Sequence, residues 1–133
     1  MIRVEHIGIA VRNLAEAKRV YEKLLATNCY KTESVTSEMV NTAFFKTGAT
    51  KIELLESSDE TGPVSKFLEK RGEGIHHIAF EVEDIYAEMQ RLKSEGFVLL
   101  NESPKVGADN KLICFLHPKN TNGVLIELCM ERK

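Results

Sequence analysis

His6-Ile7-Gly8-Ile9-Ala10-Val11 returns later in the chain as His77-Ile78-Ala79-Phe80-Glu81-Val82, an offset of 71 residues in a sequence of 133. A second stretch, Lys51-Ile52-Glu53-Leu54-Leu55, returns as Leu125-Ile126-Glu127-Leu128-Cys129 at an offset of 74. Internal repeats set the architecture, because each copy is one structural unit that the chain uses twice. Each half therefore carries one His and one Glu at equivalent positions. Two such halves predict a metal site with two His and two carboxylate ligands on the pseudo-twofold axis between them.

The composition is that of an ordinary globular protein and argues against several classes of function. Hydrophobic residues make up 43% of the chain and charged residues 29%, which is enough for one core. The net charge of -2 gives no indication of a nucleic-acid or membrane partner, and no run approaches the ~18 apolar residues that cross a bilayer. The N-terminus leads directly into a predicted strand, so we expect no signal peptide and a cytoplasmic location.

The three cysteines, Cys29, Cys114 and Cys129, include no CxxC pair and cannot all pair with one another. Two of them lie in apolar, strand-like runs. We therefore expect reduced core residues rather than a disulfide framework.

Hydrophobic periodicity predicts the order βαβββ in the first half. Alternating residues 3–11 predict a strand, and Asn13 is the expected N-cap of a helix that runs to about residue 26. Three strands should follow, near Tyr30–Thr36, Asn41–Thr47 and Lys51–Glu56. In the segment that joins the halves, Pro63 should begin a short helix and Gly72 should end it.

The second half repeats this order. A strand at Gly74–Val82 precedes a helix capped by Asp84 and stopped by Gly96, and strands are expected at Phe97–Asn101, Lys111–His117 and Gly123–Met130. The polar segment Pro104–Asn110 is either a mobile active-site loop or a plain hairpin connection. The predicted fold class is α+β, with two tandem βαβββ modules forming a metal-containing cup. We expect a single domain over 1–133, with module one at about 1–56, a connector at about 57–73 and module two at about 74–133.

Strand alternation places the candidate ligands on equivalent faces. In each strand the bulky aliphatic residues take the face that should pack under a helix, and the other face carries the ligands His6, Glu53, His77 and Glu127. A carboxylate between Ile and Leu is costly to bury unless it is paired or binds a metal. Imidazole with carboxylate suits Zn, Co, Ni, Mn or Fe. The alternative is that both His are hydrogen-bonded core residues and both Glu lie on an exposed sheet face.

Other ionisable residues near these positions are expected to be structural. His76 has the opposite parity to His77, and His117 begins a turn away from the repeated positions. Glu5 and Glu81 share the apolar parity of their strands, near ends that can reach solvent. We expect both to be surface or capping charges.

Three stretches resemble the vicinal oxygen chelate superfamily, which includes the glyoxalases, and within it most closely the methylmalonyl-CoA epimerases. They are Lys51-Ile52-Glu53-Leu54-Leu55-Glu56, residues 66–82 with Gly74-Ile75-His76-His77-Ile78-Ala79-Phe80, and residues 115–128 with His117-Pro118-Lys119-Asn120-Thr121-Asn122-Gly123. The resemblance covers nearly the whole chain. It implies a glyoxalase-like fold around a divalent metal ion (Co, Ni, Mn or Zn) and, by position, the ligands His6, Glu53, His77 and Glu127.

The resemblance also implies a reaction, the metal-dependent epimerisation of an acyl-CoA substrate through an enolate, and by analogy a homodimer. Glu127 is the expected catalytic base and Glu53 the candidate for the second. Some epimerases have a catalytic Glu where this chain has Thr42, which cannot serve as a base. The alternatives are a lactoylglutathione lyase with the same ligands, another enzyme of the superfamily, or a metal-free small-molecule binding protein.

Overall fold

The computed structural model describes residues 1–132 and divides the chain into two compact units. The first unit comprises His6–His76, and the second comprises Met1–Glu5 together with the chain from His77 onward. The order βαβββ occurs in each half of the chain, as predicted. The predicted connector falls within the first unit. That the whole chain forms one domain stays a prediction.

The first half contains four strands and two helices. Their bounds, in chain order, are β1 Arg3–Ala10, α1 Leu14–Leu25, β2 Lys31–Val35, β3 Val40–Thr47, β4 Thr50–Ser57 and α2 Pro63–Arg71. The strands are ordered β2-β3-β4-β1, with β1 parallel to β4 and the other neighbours antiparallel. A short 3-10 turn at Thr36–Glu38 joins β2 to β3.

The core of the first unit lies between α1 and one face of its strands. Helix α1 begins after Asn13, whose side-chain oxygen accepts a hydrogen bond from the backbone N–H of Glu16 at 3.0 Å. The buried Ala43, Phe45 and Leu54 of β3 and β4 form this core with Val11, and apolar residues of α1 pack against them. The opposite face of the same strands is therefore left for the candidate ligands.

The second half contains four strands and one helix. Their bounds are β5 Gly74–Glu81, α3 Ile85–Ser94, β6 Lys105–Val106, β7 Lys111–Leu116 and β8 Ile126–Glu131. The strand order is β5-β8-β7-β6, with β5 parallel to β8. Asp84 caps α3 by accepting hydrogen bonds from two backbone N–H groups of its first turn. The core of the second unit lies between α3 and one strand face, and its buried members include Ile85, Met89, Leu116 and Leu128.

The predicted strand Phe97–Asn101 is wrong. Over these described residues the structure has an isolated bridge, between Leu99 and Leu116. The Asn101 side-chain oxygen, rather than a backbone carbonyl, accepts the N–H of Phe115 at 2.9 Å, so a regular ladder does not form. The missing strand of the second module is β6, which pairs with β7 inside the following polar segment. This pairing favours the hairpin alternative for that segment over a mobile loop.

The cysteines are free, as expected: Cys114 and Cys129 are buried and Cys29 is half-buried. Burial raises the pKa of the Cys114 thiol, so this side chain stays protonated near neutral pH. Within residues 1–132, no helix is long and apolar enough to span a bilayer.

Candidate functional site

In the first unit, His6 and Glu53 lie side by side on the parallel strands β1 and β4. Gly8 is the register partner of Glu53, so His6 lies two residues before that partner on the same face. The distance from His6 Nε2 to Glu53 Oε1 is 3.3 Å. Both residues are buried, with exposed fractions of 6% and 4%. The pair is therefore a preformed two-donor group inside the protein.

In the second unit, His77 and Glu127 repeat this arrangement on β5 and β8. Ala79 is the register partner of Glu127, so His77 again lies two residues before that partner. The distance from His77 Nε2 to Glu127 Oε1 is also 3.3 Å, and the exposed fractions are 3% and 5%. The two halves of the chain thus place the same two side chains at the same register and separation.

A phenylalanine lies directly opposite each Glu on the neighbouring antiparallel strand. Phe44 is the register partner of Glu53, and Phe115 is the register partner of Glu127. The His77 and Phe115 rings also meet edge to face, with centroids 5.9 Å apart. Each Glu therefore has an aromatic neighbour on the same strand face, and apolar surroundings strengthen electrostatic interactions.

Sequence reasoning missed this aromatic pairing. Nine positions separate Phe44 from Glu53, but twelve separate Phe115 from Glu127, because the two hairpins differ in length. The two phenylalanines are 71 residues apart, the same offset as His6 and His77, so the repeat does mark them as equivalent positions; what it does not reveal is their pairing with the two Glu, which repeat at an offset of 74.

The donor chemistry and the spacing of both pairs fit a divalent metal ion. Two donors that each lie about 2.1 Å from an ion are about 3.0–3.4 Å apart when the angle between them is about 90–109°. The separation of 3.3 Å in both pairs falls in this range. It exceeds the roughly 2.7–2.9 Å of a charge-assisted hydrogen bond between the same groups. Neutral imidazole and carboxylate are common ligands of such ions.

Burial rules out the alternative in which Glu53 and Glu127 lie on an exposed sheet face. It also corrects the expectation that Glu5 is a surface charge. Glu53 and Glu127 are not on an exposed sheet face, since each is about as buried as a core residue. Glu5 is not a surface charge either, because it is 1% exposed. The reason is that the chain end is tied down: the Ile2 N–H donates to the Glu81 carbonyl at 2.8 Å, and Arg3 pairs with the Glu81 carboxylate at 2.7 Å.

Thr42 lies on the same strand face as Glu53 but is engaged elsewhere. It is fully buried, and its hydroxyl donates to the backbone carbonyl of Glu33 at 3.2 Å. Its register partner on β4 is Leu55, two residues beyond Glu53. The side chain therefore holds β2 against β3 and supplies no proton acceptor.

The two remaining histidines have structural surroundings, as expected. The ring of His76 meets Phe67 edge to face at 5.0 Å, and burial lowers the pKa of His76 to about 4, so it is neutral at pH 7. The Nδ1 atom of His117 accepts a hydrogen bond from the Lys119 N–H at 3.0 Å, which caps the following 3-10 turn.

Comparison with known proteins identifies the family. The sequence profile of the Glyoxalase/Bleomycin resistance protein/Dioxygenase superfamily matches residues 5–115. The chain is 43% identical over 129 residues to the uncharacterized protein YqjC of Bacillus subtilis, covering 97% of this chain and 92% of that protein. It is also 43% identical over 128 residues to the ethylmalonyl-CoA/methylmalonyl-CoA epimerase of Cereibacter sphaeroides, covering 95% and 96%.

A solved structure extends this likeness to the fold. A single-site variant of the Streptomyces coelicolor methylmalonyl-CoA epimerase, in complex with 2-nitronate-propionyl-CoA, superposes with a TM-score of 0.96 at 34% identity, covering 100% of this chain and 99% of that chain. The predictions of a glyoxalase-like α+β fold and of an epimerase-like enzyme are confirmed. With its repeated βαβββ order and its two matched His–Glu pairs, the chain belongs to the Glyoxalase/Bleomycin resistance protein/Dioxygenase superfamily.

Proposed function

We propose that this chain catalyses the metal-dependent epimerisation of methylmalonyl-CoA. The observation that carries the proposal is the repetition of one His–Glu pair at the same register and the same 3.3 Å separation in both halves of the chain. The epimerase relatives, similar over nearly their full length, support the choice of reaction and substrate.

The proposed ligands of one divalent ion are His6, Glu53, His77 and Glu127. When bound, such an ion supplies positive charge beside the thioester oxygen and the free carboxylate of the substrate, which stabilises an enolate. In this proposal the imidazoles are ligands and take no part in the proton transfer. Because both carboxylates are buried, few waters compete with the substrate for the space beside them.

The protein's own part in the reaction is to move one proton across the α-carbon. In our proposal Glu127 removes the α-proton, so that the C–H bond breaks and its electron pair enters the enolate. A second carboxyl group returns a proton to the opposite face, and Glu53 is the candidate for this role. The buried hydroxyl of Thr42 is no substitute, since it is already donated to a backbone carbonyl. Each base must come within about 3 Å of the proton in the bound complex.

The test is proton exchange with solvent. The metal-loaded protein should be incubated with one epimer of methylmalonyl-CoA in deuterated water and followed by NMR. We expect deuterium at the α-carbon together with the opposite epimer. A metal-depleted sample is the control and should show neither.

Two other functions predict different results in the same assays. A lactoylglutathione lyase would convert the methylglyoxal–glutathione hemithioacetal, for which we expect little or no turnover. Robust lactoylglutathione formation without α-proton exchange on the CoA ester would replace our proposal. A metal-free binding protein would contain no stoichiometric divalent ion after purification without added metal. The cytoplasmic location and the homodimer stay predictions.

A further inference from the structure

Asn101 holds the backbone of Phe115 from the outer side of β7. Its side-chain oxygen accepts the N–H of Phe115 at 2.9 Å, and the N–H of the preceding Leu100 donates to the Phe115 carbonyl at 2.8 Å. A residue of an antiparallel strand directs its N–H and its carbonyl to the same side, so both groups of Phe115 point away from β8. Leu100 and Asn101 therefore supply the hydrogen bonds that fix the backbone of Phe115.

The position of Phe115 bears on both candidate ligands of the second unit, His77 and Glu127, named here the second-unit pair. Because the polar backbone groups of Phe115 point away from β8, Phe115 and Glu127 form a non-hydrogen-bonded pair, in which side chains lie close together and the Cα atoms are roughly 4.5 Å apart. The Phe115 ring also meets the His77 ring edge to face, with centroids 5.9 Å apart and the planes at 89°. A displacement of Phe115 would therefore change the surroundings of both ligands at once.

The first unit holds its equivalent phenylalanine in a different way. Phe44, which corresponds to Phe115 in the repeat, lies in a regular ladder of five residue pairs between β2 and β3. On the outer side of β7 the second unit has an isolated bridge, between Leu99 and Leu116. A carboxamide oxygen can replace a backbone carbonyl as hydrogen-bond acceptor. Asn101 thus supplies with its side chain a bond of the kind that a regular strand would provide.

Resting on the proposed function, we propose that Asn101 is a positioning residue of the metal site and acts through Phe115 on the second-unit pair. The 3.3 Å separation within that pair suits two ligands of one ion, and the edge-to-face contact fixes the orientation of one of them. Removing a group that orients a metal ligand typically lowers metal affinity or activity 10- to 100-fold. Because Asn101 acts through a second residue, we expect an effect near the lower limit.

The experiment compares variants of Asn101 with a matched control. Asn101→Ala removes the acceptor, whereas Asn101→Asp retains an oxygen for the N–H of Phe115. Asn120→Ala is the control, because Asn120 makes the same kind of bond to the same segment but accepts the N–H of Val98, at 2.9 Å. Where Asn101→Ala does not fold, Asn101→Gln replaces it, since the longer side chain keeps the amide and displaces its oxygen by one methylene.

One readout needs neither metal nor turnover. In the metal-free protein, the NMR resonances of the His77 ring, assigned by their loss in His77→Ala, report how this ring lies against Phe115. We expect Asn101→Ala to shift these resonances, and Asn101→Asp and Asn120→Ala to leave them as in the wild type.

With Co²⁺ as the probe, Asn101→Ala should raise the Kd about 10-fold and change the visible absorption of the bound ion. At saturating Co²⁺, kcat for α-proton exchange should fall about 10-fold with KM unchanged, because no substrate contact is removed. Phe115→Leu removes the ring but keeps the backbone N–H, so it should reproduce the change in absorption. Adding Asn101→Ala to Phe115→Leu should then have little further effect on the Kd, since residues that act through one another are not additive.

The opposite results would overturn the proposal. A lower Tm for Asn101→Ala, with the His77 resonances and the Co²⁺ absorption of the wild type, would mean that Asn101 only closes the sheet edge. Equal changes in Asn120→Ala would show that loosening of the segment is sufficient, and failure of Asn101→Asp to restore them would show that the acceptor is not the cause. Full additivity with Phe115→Leu would exclude the route through that ring. If the wild type binds no Co²⁺ and exchanges no α-proton, the proposed function fails, and the metal-free His77 resonances still decide whether Asn101 positions this ring.

Discussion

Substituting one histidine from each half, His6→Ala and His77→Ala, tests whether the two pairs bind one ion. Each change removes a buried imidazole whose Nε2 lies 3.3 Å from a buried carboxylate oxygen. If both pairs serve a single ion, either substitution removes one of four ligands. His117→Ala is the matched control, since that side chain only accepts a hydrogen bond at the start of a turn.

The expected loss of metal affinity follows from the number of ligands. Four-ligand structural zinc sites bind with about 10–16 kcal/mol in total, so one ligand accounts for about 3 kcal/mol, or about 100-fold in Kd. At a free metal concentration of 100 times the wild-type Kd, binding stabilises the fold by about 2.7 kcal/mol, and after a 100-fold loss of affinity by only about 0.4 kcal/mol. For a domain of this size the metal-dependent rise in Tm should fall from roughly 10 °C to roughly 1–2 °C.

The measurement is the difference in Tm with and without metal for each variant, supported by calorimetric Kd values. Comparing each variant with its own metal-free form removes the cost of the substitution itself. We expect both His variants to lose the metal-dependent shift and His117→Ala to keep it. Undiminished affinity in both variants would refute the site. A loss in only one of them would show that the ion is bound by one half of the chain.

Two further predictions concern the carboxylates and the thiols. Glu127→Gln should retain some metal but slow α-proton exchange by ~100- to 10,000-fold, as expected for removal of a general base, whereas Glu53→Gln should retain metal and much of its activity if Glu53 is only a ligand. An equally severe loss for Glu53→Gln with metal bound would make it the second base, and normal exchange in both variants would remove both roles. In the folded protein a thiol reagent at pH 8 should modify Cys29 alone, because Cys114 and Cys129 are buried and burial raises the pKa of both thiols. Denaturant should release all three, and rapid native modification of Cys114 would contradict its burial.

The fold and the paired residues were largely predictable because two simple periodicities coincide. The repeat identifies equivalent positions, and strand alternation then places His6 and Glu53 on the face that α1 does not cover. Helix boundaries were equally accessible, since Asn13 and Asp84 can satisfy backbone N–H groups that a helix leaves unpaired. These features depend on residues that are close together in the sequence, so one sequence is enough to identify them.

The errors arose where the partner of a group is distant in sequence. The burial of Glu5 depends on the attachment of the chain end to Glu81, which residue parity does not encode. The pairing of each Glu with a Phe depends on hairpin lengths. The apolar pattern of Phe97–Asn101 is the same whether its hydrogen-bond partners are backbone carbonyls or asparagine side chains, so the pattern alone predicted a strand.

The interrupted segment beside β7 also has a consequence for how copies of this chain behave in concentrated solution. Its backbone alternates between partners: Leu100 N–H donates to the Phe115 carbonyl at 2.8 Å, while Val98 N–H donates to the side chain of Asn120 at 2.9 Å. A long, regular edge strand offers a row of open hydrogen-bonding groups on which another chain can add a strand and begin to aggregate. Here the outer side of β7 is covered by two short pieces, β6 and this segment, and the segment makes an isolated bridge rather than a ladder. This short and irregular edge therefore gives another copy of the chain little continuous backbone on which to add a strand.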